Sequence, residues 1–286
     1  MACIKPQYSK KQDMMLPCGH CLFCLGEKRD SWTTRVSLEY QKCFSCYFIT
    51  LTYDDKHLPR IDGEPTLSMG HLSSFLKRLK MKNEREIEKQ ANKVFKGLEA
   101  PKMKKVIYFG VGEYGDKLQR PHYHLIIFNL FGNTLKFLNE LWTYGSIDLK
   151  IGKPGAIHYA TGYVLKNQNN IEKKKRENAF LLASQKMGHW YVEANKKFHK
   201  ENLTAKMNVN GFTVGMPRVF RDLIFTKDEK ELLRQENLLR KIQDEYDWII
   251  EKEKNGVDWN LYQSDQIDLL YQNKLNKRKK RSYENF

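Results

Sequence analysis

Two histidines flank a tyrosine in the stretch RPHYHLIIF, Arg120 to Phe128, and the residues that follow them favour an extended strand. Residues two apart on a strand point to one face, so His122 and His124 present their imidazoles side by side while Tyr123 points away. Glu113 alternates in phase with Ile107, Phe109 and Val111 on a preceding strand-like run. A hairpin between the two runs would bring its carboxylate near the imidazoles. Two imidazoles and a carboxylate, with positions left open for water and a phosphate oxygen, suit a divalent ion acting as a Lewis acid. Taken alone, the pair favours a sheet edge carrying ordinary hydrogen-bonded histidines.

Tyr159 and Tyr163 lie four apart in a segment of helical spacing, Gly155 to Gln168, and Lys166 follows one turn beyond Tyr163. A tyrosine hydroxyl is a poor nucleophile at its ordinary pKa near ~10, but a metal-bound phosphate and a nearby cation favour the phenolate as it attacks phosphorus. The product would be a phosphotyrosyl bond that conserves the energy of the broken DNA linkage. Tyrosines at this spacing also pack on cores. The conjunction of a histidine pair, a carboxylate, a tyrosine pair with a lysine and a basic chain is what points to phosphodiester chemistry.

Cys18, Cys21 and Cys24 form C-x2-C-x2-C, and Cys3 offers a fourth ligand for tetrahedral zinc. An iron-sulfur run would want a further cysteine where Lys28 stands. A pairing of Cys21 and Cys24 with Cys43 and Cys46 has a ribbon-like spacer of 18 residues. If much of that spacer is helix, roughly 16 residues hold their ends ~24 Å apart, against one shared site. Reduced cysteines without metal remain the other reading. With four of the six cysteines in the first 24 residues, a secreted disulfide scaffold is disfavoured.

The elements that must position these groups follow from pattern. Residues 1–29 are an irregular, Cys-rich segment, and a short helix follows from Asp30 to Lys42. Residues 43–53 read as a buried strand and 54–65 as a loop. Leu72, Phe75, Leu76 and Leu79 form the stripe of a long helix. Strands at 105–115 and 122–130, a helix at Thr134–Trp142, a strand at Gly145–Gly152 and the tyrosine helix complete the order. Strand, helix, strand, strand, helix, strand predicts an α+β fold: a ferredoxin-like, split β-α-β-β-α-β antiparallel sheet with helices on one face.

Beyond residue 170 the chain reads as a basic linker and a largely helical C-terminal region, 171–286, with a Thr226/Glu229 capping box before a charged amphipathic helix closed by Asn255-Gly256. The tail ends in the polycation NKRKKR. With 50 basic and 34 acidic residues among 286, the net charge of +16 implies an acidic partner, nucleic acid first and anionic membrane second. Arg120, Lys173, Lys174, Lys175 and Arg176 are the candidate DNA-binding cations. No run approaches the roughly 18 apolar residues of a membrane span, and the N-terminus lacks a signal peptide's apolar core, so an intracellular, soluble protein is expected. No Gly-x4-Gly-Lys-Ser/Thr phosphate loop occurs, so unwinding must come from a partner.

The segments PCGHCLFC, FITLTYDDKHLP, FLKRLK, GEYGDKLQRPHYHLIIF and YATGYVLK occur in this order over roughly residues 1–168. In them the sequence resembles the HUH endonuclease superfamily and, more narrowly, the replication initiation proteins of gokushovirus-type single-stranded DNA phages of the microvirus group. The resemblance implies a nicking and joining enzyme for rolling-circle replication, with residues 30–170 as the nicking domain and a 5′-phosphotyrosine intermediate. By that match His122 and His124 bind Mg²⁺ or Mn²⁺, Glu113 is the third ligand, Tyr159 and Tyr163 are the paired nucleophiles and Lys166 is the lysine that follows them. Tyr163 is favoured for the first cut because Lys166 lies one turn away. The implied partners are single-stranded origin DNA and a helicase and polymerase of a bacterial host, in whose cytoplasm the protein would act. Two other functions fit the same residues less fully: a plasmid-mobilisation relaxase, and a non-catalytic protein that binds or packages single-stranded DNA.

Overall fold

The computed structural model describes residues 3, 5–11, 13–95, 103–115, 118–166 and 176–254, so Lys173, Lys174, Lys175 and the polycationic tail lie outside the described residues. The chain divides into two compact units, Met1–Met187 and Gly188–Phe286.

In the first unit a small hairpin of β1 (Gln7–Ser9) and β2 (Met14–Leu16) precedes helix α1 (Leu22–Lys42). Then come β3 (Cys46–Thr52), a two-rung hairpin of β4 (Arg60–Ile61) and β5 (Glu64–Pro65), the long α2 (Met69–Phe95), and β6 (Ile107–Tyr114) paired with β7 (Pro121–Phe128). A 3-10 turn at Gly132–Phe137 runs into the single-turn α3 (Leu138–Leu141), followed by β8 (Ile147–Ile151), α4 (Pro154–Lys166) and β9 (Phe180–Ala183). Five strands form one sheet in the order β8-β3-β7-β6-β9, with every neighbouring pair antiparallel.

Alternation assigns each face of the sheet to its own core. Ile49, Leu51, Tyr123, Leu125 and Ile127 join Leu72, Phe75, Leu76 and Leu79 of α2, with Leu138 and Trp142 beyond. On the opposite face Phe48, Phe109, Val111, Ile126 and Phe128 pack with Val36 of α1 and with Ile157, Ala160, Tyr163 and Val164 of α4. Helices therefore cover both faces, where the sequence pattern led us to expect one. The second layer arises because α1 starts at Leu22, eight residues before the helix expected from Asp30, and is long enough to lie along α4. Between Leu22 and Asp30 only Gly26 disfavours helix, at a cost of about 1 kcal/mol, and it is buried at the packed face. The helix expected at Thr134–Trp142 tightens instead into a 3-10 turn with one α turn, whose Trp142 Nε1 donates to Thr52 O at 3.0 Å. Gly145 sits so close to β3 that a Cβ there would lie 2.3 Å from Thr52 O, which requires glycine where β8 begins.

The second unit contains α5 (His189–Glu201), a hairpin of β10 (Lys206–Val209) and β11 (Phe212–Gly215), α6 (Arg218–Ile224) and α7 (Lys227–Lys254). Its buried side chains include Val192, Met207, Val209, Phe220, Ile224 and Leu233. The capping box forms: Thr226 N donates to Glu229 Oε2 at 2.7 Å and Glu229 N to Thr226 Oγ1 at 3.2 Å. No helix among the described residues is long and apolar enough to cross a membrane.

Candidate metal and nucleophile site

Strand register brings the chemistry together. Glu113 on β6 and Thr52 on β3 lie directly across from His122, and Val111 and Thr50 across from His124. All of these point to the α4 face, since opposed residues share a side. His124, 7% exposed, sits 3.1 Å from Glu113 Oε1 through Nε2 and 3.3 Å from Thr50 Oγ1 through Nδ1. The two imidazole planes are parallel within 1°, with centroids 6.4 Å apart.

Helix α4 lays both tyrosines over this row. The Tyr163 ring stacks on His124 at 4.5 Å with 6° between planes, and Tyr159 meets His124 edge-on at 5.9 Å. Tyr163 donates a hydrogen bond to the Tyr159 hydroxyl, and Phe48 walls the pair 5.8 Å from both His124 and Tyr159. Tyr159 is half-buried and Tyr163 is 4% exposed. Burial, foremost, pushes the Tyr163 phenol well above its ordinary pKa, and the Tyr159 hydrogen bond and the Glu113 carboxylate push the same way. The resting phenol thus keeps its proton. Lys166 is the last residue of α4, and its side chain lies outside what is described.

The donor set suits a divalent ion in part as it stands. An octahedral ion with bonds of ~2.1 Å separates neighbouring ligands by about 3 Å, close to the spacing of His124 Nε2 and Glu113 Oε1. His122 Nδ1 is buried without a hydrogen-bond partner, a nitrogen with coordinating capacity unspent. Yet the ligand atoms of His122, His124 and Glu113 do not all fall within 4.8 Å of one another. One or more of these side chains must re-orient to complete a three-ligand site.

Arg120 and Arg176, the described members of the candidate DNA-binding set, both make contacts within the protein through their guanidinium groups. Arg120 meets Asp55 Oδ1 at 2.6 Å and donates to Tyr53 O at 2.9 Å. Arg176 lies 4.0 Å over the Tyr114 ring and donates to Gln119 Oε1 at 3.0 Å. Sequence reasoning passed over Thr50, Thr52 and Phe48, although alternation in FITLT puts all three on the histidine face.

In the N-terminal segment of the first unit, Cys3, Cys18, Cys21 and Cys24 bring their sulfurs within 4.8 Å of one another. The Sγ separations are 3.5 Å for Cys21–Cys24 and 3.9 Å for both Cys18–Cys24 and Cys3–Cys21. A tetrahedral zinc with Zn–S bonds of ~2.3 Å spaces its sulfurs by about 3.8 Å, so the cluster can hold a metal ion of this kind. Cys21 caps α1 and Cys24 lies in its first turn. Backbone N–H groups donate to two of the sulfurs, from Cys18 to Cys3 at 3.2 Å and from Cys21 to Cys18 at 3.4 Å. At Cys18 backbone hydrogen bonds, from His20 foremost and then Cys21, hold the thiol below its ordinary pKa. Burial pushes the Cys24 thiol up to about 12, a preference for the neutral form that a bound cation would reverse. Cys43 and Cys46 lie past the far end of α1, 21 residues or about 31 Å long, and take no part.

Residues 46–168 match the replication-associated protein family of the ORF2 and gene II protein type, a span that includes Glu113, His122, His124, Tyr159, Tyr163 and Lys166 and leaves out the cysteine cluster. The chain is 27% identical over 242 residues to Replication-associated protein ORF4 of Chlamydia phage 1, covering 75% of this chain and 55% of that protein. It is 27% identical over 226 residues to Replication-associated protein VP4 of Bdellovibrio phage phiMH2K, covering 72% and 66%. Over 117 residues it is 34% identical to Replication-associated protein ORF2 of Spiroplasma virus 4, covering 40% and 32%. The chain therefore spans less than two thirds of the length of each of these relatives. No solved structure matches. In its central segment, then, the chain is like the ORF2 and gene II family, and it is similar to replication-associated proteins of phages.

Proposed function

We propose that this protein is a divalent-metal-dependent DNA-nicking and joining enzyme of the HUH type, an initiator of rolling-circle replication like those of gokushovirus-type phages. The observation that carries the reading is the stacking of Tyr163 on His124, with Tyr159, Glu113 and His122 on the same sheet face. A β-α-β-β-α-β core of ferredoxin-like kind, read in β3 to β8, would provide the frame. His122, His124 and Glu113 would hold Mg²⁺ or Mn²⁺, which supplies Lewis-acid stabilisation of charge on a phosphate oxygen.

Tyr159 or Tyr163 attacks phosphorus through Oη while the P–O3′ bond breaks. The proton lost from the phenol is balanced by the one gained at the departing 3′ oxygen, and the 5′-phosphate stays on tyrosine. Tyr163, packed on His124, holds its proton at Oη until DNA arrives, and Phe48 packs beside His124 and Tyr159. Lys166, together with Lys173, Lys174 and Lys175, would supply cations for the strand, the first near the tyrosines and the others along it. The four-cysteine cluster would hold Zn²⁺ and tie the N-terminal segment to α1. A helicase and polymerase of the bacterial host cytoplasm would separate and copy the strands.

Incubating the full chain with single-stranded origin-containing DNA and Mn²⁺ should give a covalent adduct that survives denaturation and disappears in the Tyr159→Phe, Tyr163→Phe double variant. No adduct from the wild type, or an undiminished one from the double variant, ends the proposal.

A further inference from the structure

Helix α7 offers large apolar side chains to water. Leu232, Leu238, Leu239, Ile242 and Tyr246 are each more than half exposed, from 52% at Leu232 to 67% at Leu239. Their spacing is a heptad. Leu232, Leu239 and Tyr246 recur every seven residues, and Gln235, Ile242 and Ile249 recur every seven, three residues further on. A helix lying on a core turns such a stripe inward. Here the stripe faces out from Leu232 to Tyr246, with Ile249 half-buried, on a helix 28 residues long whose remaining surface is mostly charged, which is the pattern of a coiled-coil strand.

We propose that α7 pairs with α7 of a second copy of this chain, antiparallel, in the register that sets Leu232 against the partner's Ile249, Gln235 against the partner's Tyr246 and Leu239 against the partner's Ile242. The stripe is self-complementary in this register: each a residue meets a d residue of the other chain, and the two-fold axis repeats every contact, so the assembly closes at two copies. Charge selects the direction. A parallel pair would bring Glu231 against the partner's Glu236 on both sides of the seam and leave Gln235 facing its own copy. Reversing one helix separates those carboxylates, gives the Gln235 amide a phenol hydroxyl as hydrogen-bond partner, and opposes the helix dipoles. The pairing stands apart from the nicking chemistry and can hold whether or not that chemistry does.

Sedimentation equilibrium of the full chain should return twice the 33.9 kDa of one copy. The single variants Leu239→Glu and Ile242→Lys, both at exposed positions, should keep native far-ultraviolet circular dichroism and fall to the mass of one copy. Mixing these two variants should restore the double mass, because in the antiparallel register the introduced carboxylate faces the introduced ammonium while the second contact keeps isoleucine on leucine. In a parallel pair mixing only relieves like-charge repulsion, leaving the carboxylate against leucine and the ammonium against isoleucine with no charge pair in either layer. A wild type at single-copy mass at every concentration, as when residues beyond 254 cover the stripe, overturns the proposal. So does a mixture that stays at single-copy mass, or a double mass untouched by either variant.

Discussion

Tyr123 stands between the two histidines and faces away from them, yet removing one atom from it should loosen the fold. Its ring is fully buried, and its hydroxyl accepts the Ser68 N–H at 2.8 Å, donates to Ser68 O at 3.0 Å and lies 2.8 Å from the Tyr53 hydroxyl. Ser68 in turn caps α2, its Oγ accepting the His71 N–H at 3.2 Å, and Tyr53 is 3.0 Å from His71 Nδ1. Tyr123→Phe keeps the ring against Tyr53, Trp142 and Phe180 and deletes only the hydroxyl. The Ser68 N–H then loses its acceptor, and the Tyr53 hydroxyl loses the group it donates to. Orphaning one such donor costs about 1–3 kcal/mol. Taking about 2 kcal/mol, with ~2–4 °C of melting temperature per kcal/mol for a unit of this size, the fall is roughly 4–8 °C. Urea unfolding followed by tryptophan fluorescence should show the midpoint shifted at constant slope. Adduct formation well below the transition should be retained, because the deleted hydroxyl lies on the opposite face from His122 and His124. A midpoint equal to wild type, or an adduct lost at unchanged stability, refutes the reasoning.

Cys21→Ser should reduce bound zinc from one equivalent to none in metal analysis of the purified chain, whereas Cys43→Ser should leave it at one; equal zinc in both variants removes the cluster's claim. Glu113→Gln keeps the shape of the side chain and drops its charge, so the Mn²⁺ needed for half-maximal adduct should rise by at least roughly 10-fold, and an unchanged requirement would take Glu113 out of the ligand set. Burial and the neighbouring Tyr123 push the Tyr53 phenol well above its ordinary value. The unfolded chain therefore loses that proton first, the stabilisation is whole below pH ~10 and declines as pH rises further, and Tyr53→Phe should flatten the decline in unfolding midpoints. Parallel slopes for the two proteins would contradict this.

What the sequence made legible was whatever depends on a short period. Alternation in β6 and β7 separates His122, His124 and Glu113 from Tyr123, and the 3.6-residue stripe of Leu72, Phe75, Leu76 and Leu79 identifies the face of α2 that is buried. Contacts across long stretches of chain were not legible. Strand β9 adds a fifth strand beside β6, but its four residues are too few to show alternation, and all four are half-buried. The partners of the Tyr123 hydroxyl lie 55 and 70 residues away, where parity gives a direction and no address. The second helical layer escaped notice because α1 runs back through the cysteine motif, whose spacing reads as metal chemistry rather than as helix. The spacing of the His122, His124 and Glu113 ligand atoms depends on side-chain torsions, on which sequence pattern is silent.

The two halves of the candidate site are held by different means. The histidines sit on β7, third of five strands, with β3 and β6 bonded along its two edges, so their position is fixed by sheet register. The tyrosines ride on α4, and their position is fixed by helix packing on Phe48, Ile126 and the α1 side chains. Helix packing tolerates small shifts, but a sheet slips only in whole residues, and a slip of one in β7 would turn both histidines into the α2 core and bring Tyr123 under the tyrosine helix. The bond from Tyr123 to Ser68 opposes that slip from the far side of the sheet, because the hydroxyl reaches the α2 cap in one register alone. Tyr123 thus contributes to the site by fixing which way its two neighbours face, and the prediction that it matters for stability and not for the chemical step follows from that division.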